Sequence, residues 1–148
     1  MTRKKKARGA KKLYSVAGAN AALPLVRAIV HDIAELAHEL RDRHERIQRL
    51  RNSETALSPA HQEELDQIVS EFERGQERME DFERELRQLG VELKDYFTGL
   101  IDFRSQMEGR EVYLCWRLGE PEVAHWHELD AGFTGRQRIE KGVGSLFR

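Results

Sequence analysis

Two long apolar stripes at helical spacing, separated by one short break, constrain this chain more than anything else in it. Ala22, Val26, Ile29, Ile33, Leu36, Leu40, Arg43, Ile47 and Leu50 follow one another at alternating intervals of four and three. That is the seam of a helix facing a partner helix, interrupted once by Arg43. Leu65, Ile68, Phe72, Gly75, Met79, Phe82, Leu86 and Leu89 repeat the pattern. Ser15 is placed to cap the first helix and Ser58 the second. Pro59 stands at the first helical position of the second helix and Gly90 at its exit, where positive φ ends a helix. The spacing predicts helices over about 16–52 and about 59–89. A connection of about six residues makes them antiparallel neighbours. In that register Leu36 falls opposite Gly75, Ile33 opposite Met79 and Ile29 opposite Phe82. At about 1.5 Å per residue the first helix is roughly 50 Å long, so the pair is a rod.

The near half of the first helix is apolar around more of its circumference than one partner can cover. Leu23, Leu25, Val30, Ala34 and Ala37 flank the seam there, whereas beyond Leu40 only Ile47 and Leu50 remain. The segment leaving Gly90 emerges at that same end and is the expected cover; a homodimer interface is the rival. In this segment the period changes. Val91–Leu93 and Leu100–Phe103 read as short strands. Val112, Leu114, Trp116 and Leu118 alternate with Tyr113, Cys115 and Arg117, and after a turn at Gly119–Glu122 the pattern returns over 123–129. The fold expected is α+β: a long antiparallel, coiled-coil-like helical hairpin with a small C-terminal antiparallel sheet, about 91–129, packed at its open end. The domain spans 13–138, preceded by a basic tail over 1–12 and followed by a flexible tail over 139–148.

Composition narrows the classes of function. A chain of 148 residues with 34 % charged and 39 % hydrophobic residues suits an extended helical protein. It holds no run near the roughly 20 apolar residues of a membrane-spanning helix. The single cysteine, Cys115, forms no intramolecular disulfide, and no secretory signal precedes it, so a reducing cytoplasm is expected. Arg3, Lys4, Lys5, Lys6, Arg8, Lys11 and Lys12 put +7 into the first twelve residues and leave the remainder at −8. Such an arm suits phosphate-rich partners such as RNA or DNA, or serves to solubilise the chain.

The stretch Gly109-Arg110-Glu111-Val112-Tyr113-Leu114-Cys115-Trp116-Arg117-Leu118-Gly119-Glu120 resembles a bacterial family of uncharacterised proteins, the domain-of-unknown-function family 2203. So do Trp126-His127-Glu128-Leu129-Asp130-Ala131-Gly132-Phe133 and Gly135-Arg136-Gln137. Tyr14-Ser15, Ala19-Asn20 and Leu23-Pro24-Leu25 are similar to its helical opening. Leu89–Asp95 and Gly99–Phe103 are similar to its link. The resemblance covers about 14–138 and implies the architecture. It implies no activity.

Several constellations carry chemistry. His31, Glu35 and His38 share a helix face at ligand-like spacing but lie opposite the seam, in solvent. Cys115, His125, His127 and Glu128 have the residue types of a metal site or of a thiol nucleophile with its base, and the alternation argues against both. The turn is expected to pair odd positions with even ones, so both histidines share the inner face with Leu114 and Trp116. Cys115 then points the other way and has no base, and Trp116 and Trp126 lie on opposite faces. Gly132-Phe133-Thr134-Gly135-Arg136 has the residue types of an anion cradle without the strand–loop–helix context. Buried imidazoles need partners, and Asn20, Asp130 and Arg136 are the candidates. The expected pocket is therefore His127, Glu128, Asp130 and Arg136, taking a small anion if Arg136 turns inward. No metal and no cofactor is expected. Three functions follow: a non-enzymatic interaction or scaffold protein with a protein partner, a small-ligand binder or enzyme using that pocket, and a nucleic-acid-associated factor using the arm.

Overall fold

The computed structural model describes residues 12–53, 58–140 and 142–148. Of the basic arm only Lys12 falls among them, its ammonium 4.9 Å from the Tyr14 ring centroid; the rest lies outside the described residues. Helix α1 spans Val16–Arg51 and α2 spans Pro59–Gln88. The Ser15 hydroxyl accepts the Gly18 amide at 2.9 Å, and Ser58 accepts the His61 amide at 3.2 Å with Pro59 beside it. Gly90 leaves α2 at φ +78°. Among the described residues, no helix is long and apolar enough to cross a membrane.

Strands β1 (Val91–Asp95), β2 (Leu100–Met107), β3 (Arg110–Arg117), β4 (His125–Glu128) and β5 (Gln137–Arg138) form one antiparallel sheet in sequential order. Single 3₁₀ turns lie at Phe133–Gly135 and Gly144–Leu146. The inner face presents Val91, Ile101, Phe103, Val112, Leu114 and Trp116 to Leu23, Val26, Val30 and Ile33 of α1 in one continuous core. Each such large side chain contributes about 1.5–3 kcal/mol by leaving water. The sheet therefore covers the wide apolar arc of α1. The far half of the hairpin keeps a separate cluster of Ile47, Leu65 and Ile68.

Two expectations need correction. Val112 faces Glu128, Tyr113 faces His127, Leu114 faces Trp126 and Cys115 faces His125. Odd therefore pairs with odd, and a one-residue change of register moves every β4 side chain to the other face. Both histidines share the outer face with Cys115, and both tryptophans share the inner one. Residues 142–148, expected as part of a flexible tail, dock: Phe147 is buried against Trp126, and Gln106 and Arg148 exchange backbone hydrogen bonds of 3.0 and 2.9 Å. Arg43, the break in the seam, pairs with Glu39 on its own helix at 3.5 Å.

Candidate functional site

The outer face of the sheet carries an ionisable cluster that its neighbours bury. Asp102 on β2 is the cross-strand partner of Cys115 on β3, and His127 on β4 lies diagonally across from Cys115, next to Tyr113. The three are 3 %, 0 % and 2 % exposed for Asp102, Cys115 and His127. Their ligand atoms all lie within 4.8 Å of one another. His127 Nε2 is 3.0 and 3.1 Å from the two Asp102 oxygens, and its Nδ1 is 2.7 Å from the Glu128 carbonyl. A carbonyl only accepts, so Nδ1 carries a proton. The Nε2–Asp102 contact then holds one further proton, on the ring or on the carboxyl.

Electrostatics follow from burial. Asp102 is pushed above the ordinary carboxylate range by loss of water, only partly offset by His127. The Cys115 thiol is pushed up to about 12, first by burial and then by the Asp102 charge. It is a neutral thiol at ordinary pH and a poor nucleophile as it stands. Arg136 lies on the same side, its Nη1 3.9 Å from Cys115 Sγ and 3.1 Å from Glu120 Oε1; its Nη2 also bonds Glu120. His125, beside Cys115, has a buried Nδ1 with no hydrogen-bond partner. Burial and the Arg136 charge depress its basicity.

The pocket expected from the sequence comes together only in part. His127 is at its centre and Arg136 is near, turned to Glu120. Glu128 shares the opposite, Val112 side of the sheet and pairs with Arg110 at 2.7 and 3.2 Å. Asp130 is exposed. Asn20 bonds Val123, so the histidine's partner is Asp102. The Gly135 and Arg136 amides donate to Gly132 and Phe133 carbonyls at 3.1 Å, which leaves the glycine-rich turn without those donors for an anion. His38 turns to Arg41 and away from the exposed His31–Glu35 pair. Sequence reasoning missed Asp102. Its signal was an acid inside the apolar run Leu100-Ile101-Asp102-Phe103.

A small pocket of about 170 Å³ opens onto this cluster, with Asp102 and His127 in its lining beside Lys94, Tyr113, Leu129 and Phe133. The fold and site thus define an α+β protein in which a helical hairpin backs a sheet whose far face buries an Asp–His–Cys cluster. The chain belongs to the family described as "uncharacterized conserved protein (DUF2203)", whose model matches residues 12–139. No curated protein and no solved structure matches it.

Proposed function

We propose that this chain is a small-ligand-binding protein whose site is the outer-face pocket over Asp102 and His127. The observation that supports the reading is that a buried, proton-sharing pair lines a pocket, where burial of ionisable groups costs free energy that packing alone would avoid. The pocket's size sets the ligand class. A cavity of about 150 Å³ holds a benzene-sized molecule. The ligand is therefore compact, with one polar group for His127 and an apolar side for Phe133 and Leu129. The hairpin serves as the backing on which the sheet's inner face packs. A chain with one buried thiol suits a reducing compartment such as the cytoplasm. The test is a fragment screen read by proton–nitrogen shifts of the imidazoles. Expected are fragments that move His127 and leave His31 unmoved; no fragment acting on His127 ends the reading.

A second reading keeps the interaction role, on the strength of a groove of about 470 Å³ between the helices beside Tyr96 and Phe97. The two aromatic rings are 38 % and 41 % exposed. The occupant proposed is a second copy of this chain. Arg41 stands on the α1 side of the groove and Glu80 and Glu83 on the α2 side. A two-fold axis along the helices sets each Arg41 against the copy's acids. Sedimentation equilibrium at low and high salt tests it: a salt-weakened dimer is expected, and a monomer at every concentration ends it.

A further inference from the structure

We propose that Asp102, Cys115 and His127 bind a single divalent transition-metal ion of the zinc class, with the outer-face pocket giving it an open fourth position. The inference rests on the reading of the outer face as a ligand site, and deepens it by setting an ion beside the pocket, whose open position the pocket's compact ligand would take.

Ligand type decides the metal class. A thiolate, an imidazole and a carboxylate together select borderline ions such as zinc or cobalt, and exclude magnesium and calcium, which take oxygen. Three protein ligands with an open fourth position is the arrangement of zinc sites that act on a bound water or ligand.

Geometry fits. Ligand atoms around a tetrahedral zinc stand roughly 3.5 Å apart, so the observed cluster closes on an ion with side-chain shifts of about an ångström. The Nδ1–H of His127 is held by the Glu128 carbonyl, and this is the outer hydrogen bond that fixes a metal-binding imidazole and aims its Nε2 lone pair. Arg136 beside Sγ is placed to donate to a thiolate.

Charge balances as well. Without the ion, the thiol is neutral and Asp102 and His127 share one proton, so the cluster carries no net charge. An incoming M²⁺ displaces two protons, the thiol's and the shared one. It leaves Cys115 as thiolate, Asp102 as carboxylate and His127 neutral, again with no net charge. The buried face is therefore not asked to hold a new charge on binding.

The experiment is titration of the metal-free full chain with Co²⁺. Cys115 is the only cysteine in the sequence. A sulfur-to-cobalt charge-transfer band at one ion per chain therefore reports this site alone. Expected are that band, its loss in Cys115→Ser, and at least about a tenfold weaker affinity in Asp102→Asn and in His127→Gln, since even loss of an outer-shell partner costs that much. His31→Ala leaves affinity unchanged. Absence of the band in the natural chain, or its survival in Cys115→Ser, overturns the proposal. Should the variants not fold, X-ray absorption of the zinc-loaded natural chain decides, with one sulfur at about 2.3 Å expected and a sulfur-free shell overturning it. Fragments that act on His127 in a chain giving no cobalt band remove the metal and leave the pocket reading. If neither appears, both fall.

Discussion

Asn20 and Val123 exchange two hydrogen bonds. The Val123 amide donates to Asn20 Oδ1 at 2.8 Å, and Asn20 Nδ2 donates to the Val123 carbonyl at 3.2 Å. A side-chain amide on α1 thus pairs with the backbone just before β4 as a neighbouring strand would. Each bond contributes about 1 kcal/mol net. Asn20→Ala is expected to lose about 2 kcal/mol in urea unfolding, and Asn20→Asp, which keeps the acceptor alone, to fall between it and the natural chain.

Gly75 is buried in the seam of α2, beneath Leu40 of α1. A Cβ there would stand 2.5 Å from Leu40 Cδ2 and 3.7 Å from Leu36 Cδ1. Alanine gains about 1 kcal/mol of helix propensity. Leu40 must leave its rotamer to make room, at about 0.5–1.5 kcal/mol. Gly75→Ala is therefore expected to be neutral within about 1 kcal/mol. In a Leu40→Ala background the same change is expected to show the full propensity gain, and a double-mutant cycle measures the difference.

Acid should weaken the connection between β3 and β4. Burial opposes ionisation of Glu120, but hydrogen bonds from Arg136 and the Arg117 amide outweigh it and hold the carboxyl below its usual 4.5. A lowered folded value means that the unfolded chain binds the proton more readily. The stabilisation is thus fully present above pH 4.5 and is lost as pH falls through the folded value. Arg136→Leu is expected to flatten this part of the acid limb in melting temperature against pH; an unchanged slope would count against the pairing.

The C-terminal segment is part of the core. Phe147 is 2 % exposed, bridges to Met107 and lies 5.9 Å from the Trp126 ring. Phe147→Ala is expected to cost about 3 kcal/mol. It should also shift tryptophan emission to the red as water reaches Trp126. Unchanged stability and emission would show that the docking contributes nothing.

The helices were legible because their signals are local. Ser15, Ser58-Pro59 and Gly90 act within a turn of themselves, and the seam repeats often enough to set the pairing. The covering of α1 by the sheet was legible for a related reason, since Val30 and Ala34 lie off the seam. The site depended on the parity of one pairing. The connection over 118–124, between Arg117 and His125, is too long for a two-residue turn to fix its register. Its path is set by Asn20, 103 residues away from Val123 in sequence, and by the Trp116 indole donating to the Glu120 carbonyl, a contact that no residue pattern announces. With that parity inverted, Cys115 and His127 read as strangers. Phe147 was illegible because a lone aromatic in a glycine-rich stretch shows no period.

The separation of the hairpin's two apolar clusters sets an order of events. Ile47, Leu65 and Ile68 share no side chain with the core that the sheet completes. The far half of the rod can therefore melt while the near half, clasped between sheet and helix, stays whole. Amide protons around Ile47 and Ile68 should trade with deuterium through that partial opening, at rates indifferent to Asn20→Ala. Those around Val26 and Leu114 should wait for the entire molecule to come apart.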